Sequence, residues 1–111
     1  MTNENNITEL LQFIVKSLDD DKIEDIKVIE LSKKRSDLAS HVVIGTGNSY
    51  KHIVSSSEKL GDKIKHEFEL PVKIEGTTKT PQWILIDLQE IMIHLFTQVA
   101  REKYDLEGLY K

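Results

Sequence analysis

Apolar residues recur along this chain in two periods, and each change of period marks an element. Ile7, Leu10, Leu11, Ile14 and Leu18 fall at helical spacing with Thr8 or Asn6 as the N-cap, predicting a first helix from about Thr8 to Leu18. Asp19-Asp20-Asp21-Lys22 breaks the stripe. An acidic run is unfavourable at a helix C-terminus, so it reads as a solvated turn. Ile26 to Leu31 alternates as a short strand, and Lys33-Lys34-Arg35 follows in a solvated loop. His41-Val42-Val43-Ile44 is a second apolar strand, ended by Gly45-Thr46-Gly47-Asn48-Ser49. A long helix comes next, with Ile53, Leu60, Ile64 and Phe68 on one face and Lys51, Lys59, Lys63 and Lys65 elsewhere. It ends near Glu69, ahead of Pro71. Val72 and Ile74 alternate with Lys73 and Glu75 as a short edge-type strand before the polar loop from Gly76 to Pro81.

The most apolar run is Trp83 to Phe96, in which two arms rich in β-branched and aromatic residues flank a polar break at Asp87 to Glu90. It reads as an antiparallel hairpin of two central strands, each too short to span a membrane. Successive strand side chains alternate between faces. Ile84, Ile86 and Leu88 therefore share one face of the first arm, and Ile91, Ile93 and Leu95 share one face of the second. Uniting these six aliphatic residues requires an even-numbered turn, either Gln89-Glu90 alone or a wider one from Leu88 to Ile91. Ile86 then pairs with Ile93 and Trp83 with Phe96. The opposite face carries Trp83, Leu85, Asp87, Met92, His94 and Phe96, a mixture that fits contact with a partner as well as burial under a helix. After Phe96 helical spacing returns through Val99, Ala100 and Tyr104, and Leu106, Leu109 and Tyr110 close the chain. The sum is an α/β fold, a mixed sheet of about five strands with packed helices.

At 111 residues the chain forms one domain, residues 1–111, with 1–6 expected to be flexible. Nineteen acidic against fifteen basic residues give a net charge of −4, which argues against a protein that coats nucleic acid and favours a basic protein partner. With no cysteine, disulfides and thiolate metal sites are excluded. The polar start, Met-Thr-Asn-Glu-Asn-Asn, lacks a signal region, and the expected location is the cytoplasm.

Three stretches carry residues that could support chemistry. Strand, Gly45-Thr46-Gly47-Asn48-Ser49 and helix resemble the start of a phosphate-binding turn, but Tyr50 stands where a dinucleotide turn wants its third glycine. A tight turn capped by Asn48 or Ser49 is the simpler reading. A two-metal nucleotidyltransferase site needs a second carboxylate beside Asp87, and two residues on stands Gln89. The four histidines, His41, His52, His66 and His94, show no short metal-ligand spacing. No catalytic, cofactor or metal site is expected. A nucleotide-handling enzyme and a homodimeric interaction module remain the alternatives.

Taken together, Val42-Val43-Ile44-Gly45-Thr46-Gly47-Asn48-Ser49-Tyr50-Lys51-His52-Ile53, Glu75-Gly76, Trp83-Ile84-Leu85-Ile86-Asp87, His94-Leu95-Phe96 and Arg101-Glu102-Lys103-Tyr104-Asp105-Leu106-Glu107 resemble the Iojap/RsfS family of ribosomal silencing factors. The resemblance runs from about Ile7 to Tyr110. It implies a non-enzymatic translation repressor that binds ribosomal protein L-fourteen on the large ribosomal subunit and sterically blocks joining of the small subunit. It also implies a nucleotidyltransferase-like fold without the catalytic carboxylates. No direct DNA or membrane binding is expected, and the expected state is a monomer or weak homodimer. Trp83 corresponds to a family residue on the binding hairpin; Asp87, Met92, His94 and Phe96 join it through the register. The chain departs from the usual pattern with Ser40-His41 where Asp-Tyr is common, Lys51 for arginine, Gln89-Glu90 for Gly-Asp and Tyr110 for tryptophan. Loss of the turn glycine favours the wider four-residue loop. Lys51 cannot donate bidentately as arginine does.

Overall fold

The structure, a computed structural model, describes residues 4–31, 39–76, 79–105 and 108. Its elements in chain order are α1 (Glu4–Asp20), β1 (Glu24–Glu30), β2 (His41–Gly47), α2 (Tyr50–Phe68), β3 (Lys73–Glu75), β4 (Trp83–Asp87), β5 (Ile91–Thr97) and α3 (Gln98–Lys103). The strands form one sheet in the order β1-β2-β5-β4-β3. β2 and β5 run parallel at its centre, and every other neighbouring pair is antiparallel. These two strands are the most apolar in the chain, as expected where helices cover both faces.

One face of the sheet packs on α1 and α2, where Leu10, Ile14, Ile53 and Ile64 meet Val43, Ile84, Ile86, Ile91, Ile93 and Leu95. All six aliphatic hairpin residues are buried there. Phe13 of α1 meets Phe68 of α2 edge to face at 5.2 Å. The other face carries a smaller core of Leu31, Ala39, Val42, Ile44, Phe96 and Ala100, closed by α3.

The hairpin register is the one required by the aliphatic pattern: Trp83 pairs with Phe96, Leu85 with His94, Ile86 with Ile93 and Asp87 with Met92. Its connection is the short alternative and not the wider four-residue loop. Leu88 N–H donates to the Ile91 carbonyl at 3.0 Å, and Glu90 N–H donates to the Leu88 carbonyl at 2.9 Å. Gln89 sits at φ 72°, completing a γ-turn in a conformation glycine adopts at less cost.

Other boundaries also move. α1 begins at Glu4 instead of Thr8, so residues 4–6 belong to the helix. Its acidic end belongs to the helix because a Schellman cap closes it. Lys22 takes φ 64°, Lys22 N–H bonds Asp19 carbonyl at 3.0 Å, and Ile23 N–H bonds Leu18 carbonyl at 2.9 Å. Ile23 thereby drops beside Leu18 into the core. β2 continues through Gly45, Thr46 and Gly47, which pair with Leu95, Phe96 and Thr97. Glycine is needed there for space: a Cβ on Gly45 would lie 2.5 Å from Ile23 Cγ2, and one on Gly47 2.5 Å from Ile53 Cγ2. α3 is short, and of the expected face of Val99, Ala100 and Tyr104 only Ala100 is buried. Lys33-Lys34-Arg35, Leu106, Leu109 and Tyr110 lie outside the described residues.

Candidate functional site

The face of the hairpin turned away from α1 and α2 brings all five candidate residues together, at very different depths. Phe96 is fully buried and His94 nearly so, Met92 and Asp87 are half-buried, and Trp83 is exposed at 36%. α3 causes this gradient. It starts directly after β5 and covers the Phe96 end, leaving β4 and β3 open.

Trp83 is held from below. Its ring lies 4.9 Å from Phe96 and 5.7 Å from His94, and its Nε1–H donates to His94 Nδ1 at 2.9 Å. His94 Nδ1 must therefore be an unprotonated acceptor, which places the ring proton on Nε2. Burial favours the same neutral form and lowers the His94 pKa to about 4. The indole is consequently pinned by a hydrogen bond, a packing floor and a neutral imidazole.

Further residues, which sequence spacing did not single out, complete this surface. Tyr104, exposed at 41%, lies 5.3 Å from Trp83 and extends the aromatic patch. Helical periodicity placed it on a buried face, but it caps α3 with an extended backbone and its N–H bonded to the Ala100 carbonyl at 2.8 Å. Lys103 Nζ stands 5.6 Å above the Tyr104 ring. Beyond Trp83, a notch of about 280 Å³ is lined by Glu75, Gly76, Trp83 and Leu85. Gly76 has φ 92°, and a Cβ there would lie 2.5 Å from the Trp83 carbonyl oxygen. Only glycine lets the chain pass so close behind the tryptophan. Lys73 and Glu75 form an ion pair of 3.1 Å on the β3 edge.

The ends of the hairpin are also fixed. Asp87 Oδ1 accepts the Gln89 N–H at 2.8 Å, so this carboxylate supports the turn. At the other end Thr97 N–H donates to the Gln82 carbonyl at 3.0 Å, and the Thr97 hydroxyl bonds the Gln82 side chain while capping α3. Arg101 ties α3 to the sheet through Thr46 Oγ1 at 2.9 Å and the Asp25 carbonyl at 3.1 Å.

The turn after β2, the alternative site, is engaged internally. Asn48 N–H donates to His52 Nδ1 at 3.0 Å, and His52 N–H donates to Ser49 Oγ at 3.1 Å. His52 Nε2–H in turn reaches the Asp21 carbonyl at 2.6 Å. These donors, which a phosphate-binding turn would offer to an anion, already have partners. Among the described residues no group of three or more His, Asp or Glu is placed to hold a metal ion, and no helix is long and apolar enough to cross a membrane.

Comparison with known proteins agrees with this architecture. A ribosomal silencing factor from Zymomonas mobilis is 38% identical over 101 residues, covering 91% of this chain and 74% of that protein. One from Halalkalibacterium halodurans is 34% identical and covers 92% of this chain and 86% of that protein. A crystal structure of a Chromobacterium violaceum protein superposes with a TM-score of 0.84 at 25% identity, covering 94% of this chain and 85% of that one. The family model described as "Ribosomal silencing factor during starvation" matches residues 4–111. The chain belongs to the RsfS family of ribosomal silencing factors.

Proposed function

We propose that this protein acts as a steric, non-enzymatic repressor of translation in the cytoplasm. Its hairpin face docks on ribosomal protein L-fourteen of the large subunit and keeps the small subunit from joining. The observation that carries this reading is Trp83, an exposed indole held in one orientation by His94 and Phe96. Large aromatic side chains dominate the energy of protein interfaces when they are central and already ordered, because little entropy is lost on docking. Leu85, Met92 and Tyr104 enlarge the apolar contact around it, and Asp87 and Glu75 offer carboxylates to a basic partner. His94 and Phe96 serve from beneath, setting the indole's position without reaching the partner.

The test is co-sedimentation of the purified protein with separated ribosomal subunits. Trp83→Ala, checked for folding by circular dichroism, should weaken binding to large subunits by more than about 1 kcal/mol, or roughly fivefold. Subunit joining in the presence of the variant should recover in proportion. Undiminished co-sedimentation of a folded Trp83→Ala protein would refute the assignment of this face.

A further inference from the structure

A second surface lies on the other side of the sheet, away from Trp83. Between α1 and the edge strand β1 runs an open groove of about 860 Å³. Its floor is apolar: Leu11 and Val15 come from α1, Ile23, Ile26 and Val28 from β1 and the turn before it. Val28 pairs with Val43, whose side chain is in the core beneath α1 and α2, yet Val28 itself is 47% exposed. The rim is anionic. Among the described residues that line it, Asp19 and Glu24 have no ion-pair partner, Asp25 is paired with Arg101 at 3.5 Å, and the one cation, Lys16, is paired with Asp20 at 3.6 Å.

We infer that this groove receives an amphipathic helix from a partner protein, with its apolar side on Val15 and Val28 and a basic flank against Asp19 and Glu24. An added strand is disfavoured by β1 itself. Its exposed edge carries Glu24, Lys27 and Glu30, and a bulge between Glu24 and Lys27, with Asp25 at φ 51°, breaks the ladder a sixth strand would follow. A second copy of this chain is disfavoured by charge, since two anionic rims would face each other on a protein of net charge −4. A helix needs no backbone bonds from β1. It buries the apolar floor through residues spaced i, i+3, i+4 and i+7 and leaves the edge charges in water. The groove and the Trp83 patch lie on opposite faces, so both can be occupied at once.

The test is anisotropy titration of the full-length chain into a labelled synthetic helical peptide with leucines at that spacing and lysines along one flank. Saturable binding is expected. Val28→Glu should weaken it about tenfold, the exposed charge reversals Asp19→Lys and Glu24→Lys together about fivefold, and Trp83→Ala not at all. Circular dichroism establishes that each variant is folded. The inference is overturned if the lysine peptide does not saturate, or if a glutamate-flanked peptide binds as well. It is also overturned if a mid-helix proline leaves binding intact, since the occupant would then be extended. Light scattering that reveals a dimer abolished by Val28→Glu would assign the groove to a second copy instead.

Discussion

Protonation of His94 should be the main acid-sensitive event near the hairpin face. The imidazole is buried, its Nδ1 accepts the Trp83 indole proton at 2.9 Å, and its pKa is lowered from 6.5 to about 4. Between those values the unfolded chain binds a proton that the native protein refuses, so stability falls as pH falls from 6.5 towards 4. Above 6.5 both states hold a neutral ring and the effect vanishes. Each step of one pH unit within the window costs about 1.4 kcal/mol, so the full loss approaches about 3 kcal/mol, a large part of a typical domain's stability. Urea unfolding followed by the emission of Trp83, the only tryptophan, from about pH 7 to about pH 4.5 reads this directly. Carboxylates contribute to the same acid limb, and His94→Gln separates them. Gln keeps an acceptor for the indole but cannot titrate, so the variant should lose the His94 share of the slope and retain the rest. Equal slopes in both proteins across that window would refute a buried neutral His94 as the source.

Two further perturbations test the backbone reasoning. Gly47→Ala places a Cβ 2.5 Å from Ile53 Cγ2 and 3.2 Å from His52 Nδ1, and should destabilise by about 1–3 kcal/mol, seen as a fall in thermal midpoint. Gln89→Gly should act in the opposite direction. It relieves a side chain at φ 72° and should raise the denaturation midpoint by the equivalent of about 0.5 kcal/mol, because glycine's greater unfolded entropy offsets part of the relief.

The division of the hairpin into two faces was legible in the sequence because a period of two and the parity of the turn leave one register that unites Ile84, Ile86, Leu88, Ile91, Ile93 and Leu95. Depth within the mixed face was not legible. Phe96 and Trp83 are opposite each other on that face, yet one is buried and the other exposed, because α3 returns over the Phe96 end only. Composition does not encode where a short helix lands. Tyr104 was missed for the same reason: its spacing from Ala100 is helical, but the helix stops first. Gly45 and Gly47 read as the end of a strand, since glycine usually marks a turn; here tertiary crowding by Ile23 and Ile53 selects it inside the strand. The end of α1 escaped because its left-handed cap is Lys22, a lysine where glycine is the usual signal.

Ser40-His41 and Gln89-Glu90 are remote in sequence but meet where β2 begins beside the hairpin turn. The Glu90 carbonyl accepts the Ser40 N–H at 2.8 Å, the Ser40 hydroxyl at 2.9 Å and the His41 N–H at 3.3 Å. A hydroxyl has one proton to give, and Ser40 Oγ gives it to Glu90, so the 2.9 Å contact with His41 Nδ1 requires the imidazole to be the donor. The non-glycine turn is thus anchored from outside by β2 and from within by Asp87. The opposite end is anchored by Thr97, Gln82 and the His94–Trp83 bond. A hairpin fixed at both ends presents its face without a folding cost on contact. The proposed steric role has most need of that, since occupancy of the partner would rest on binding free energy alone.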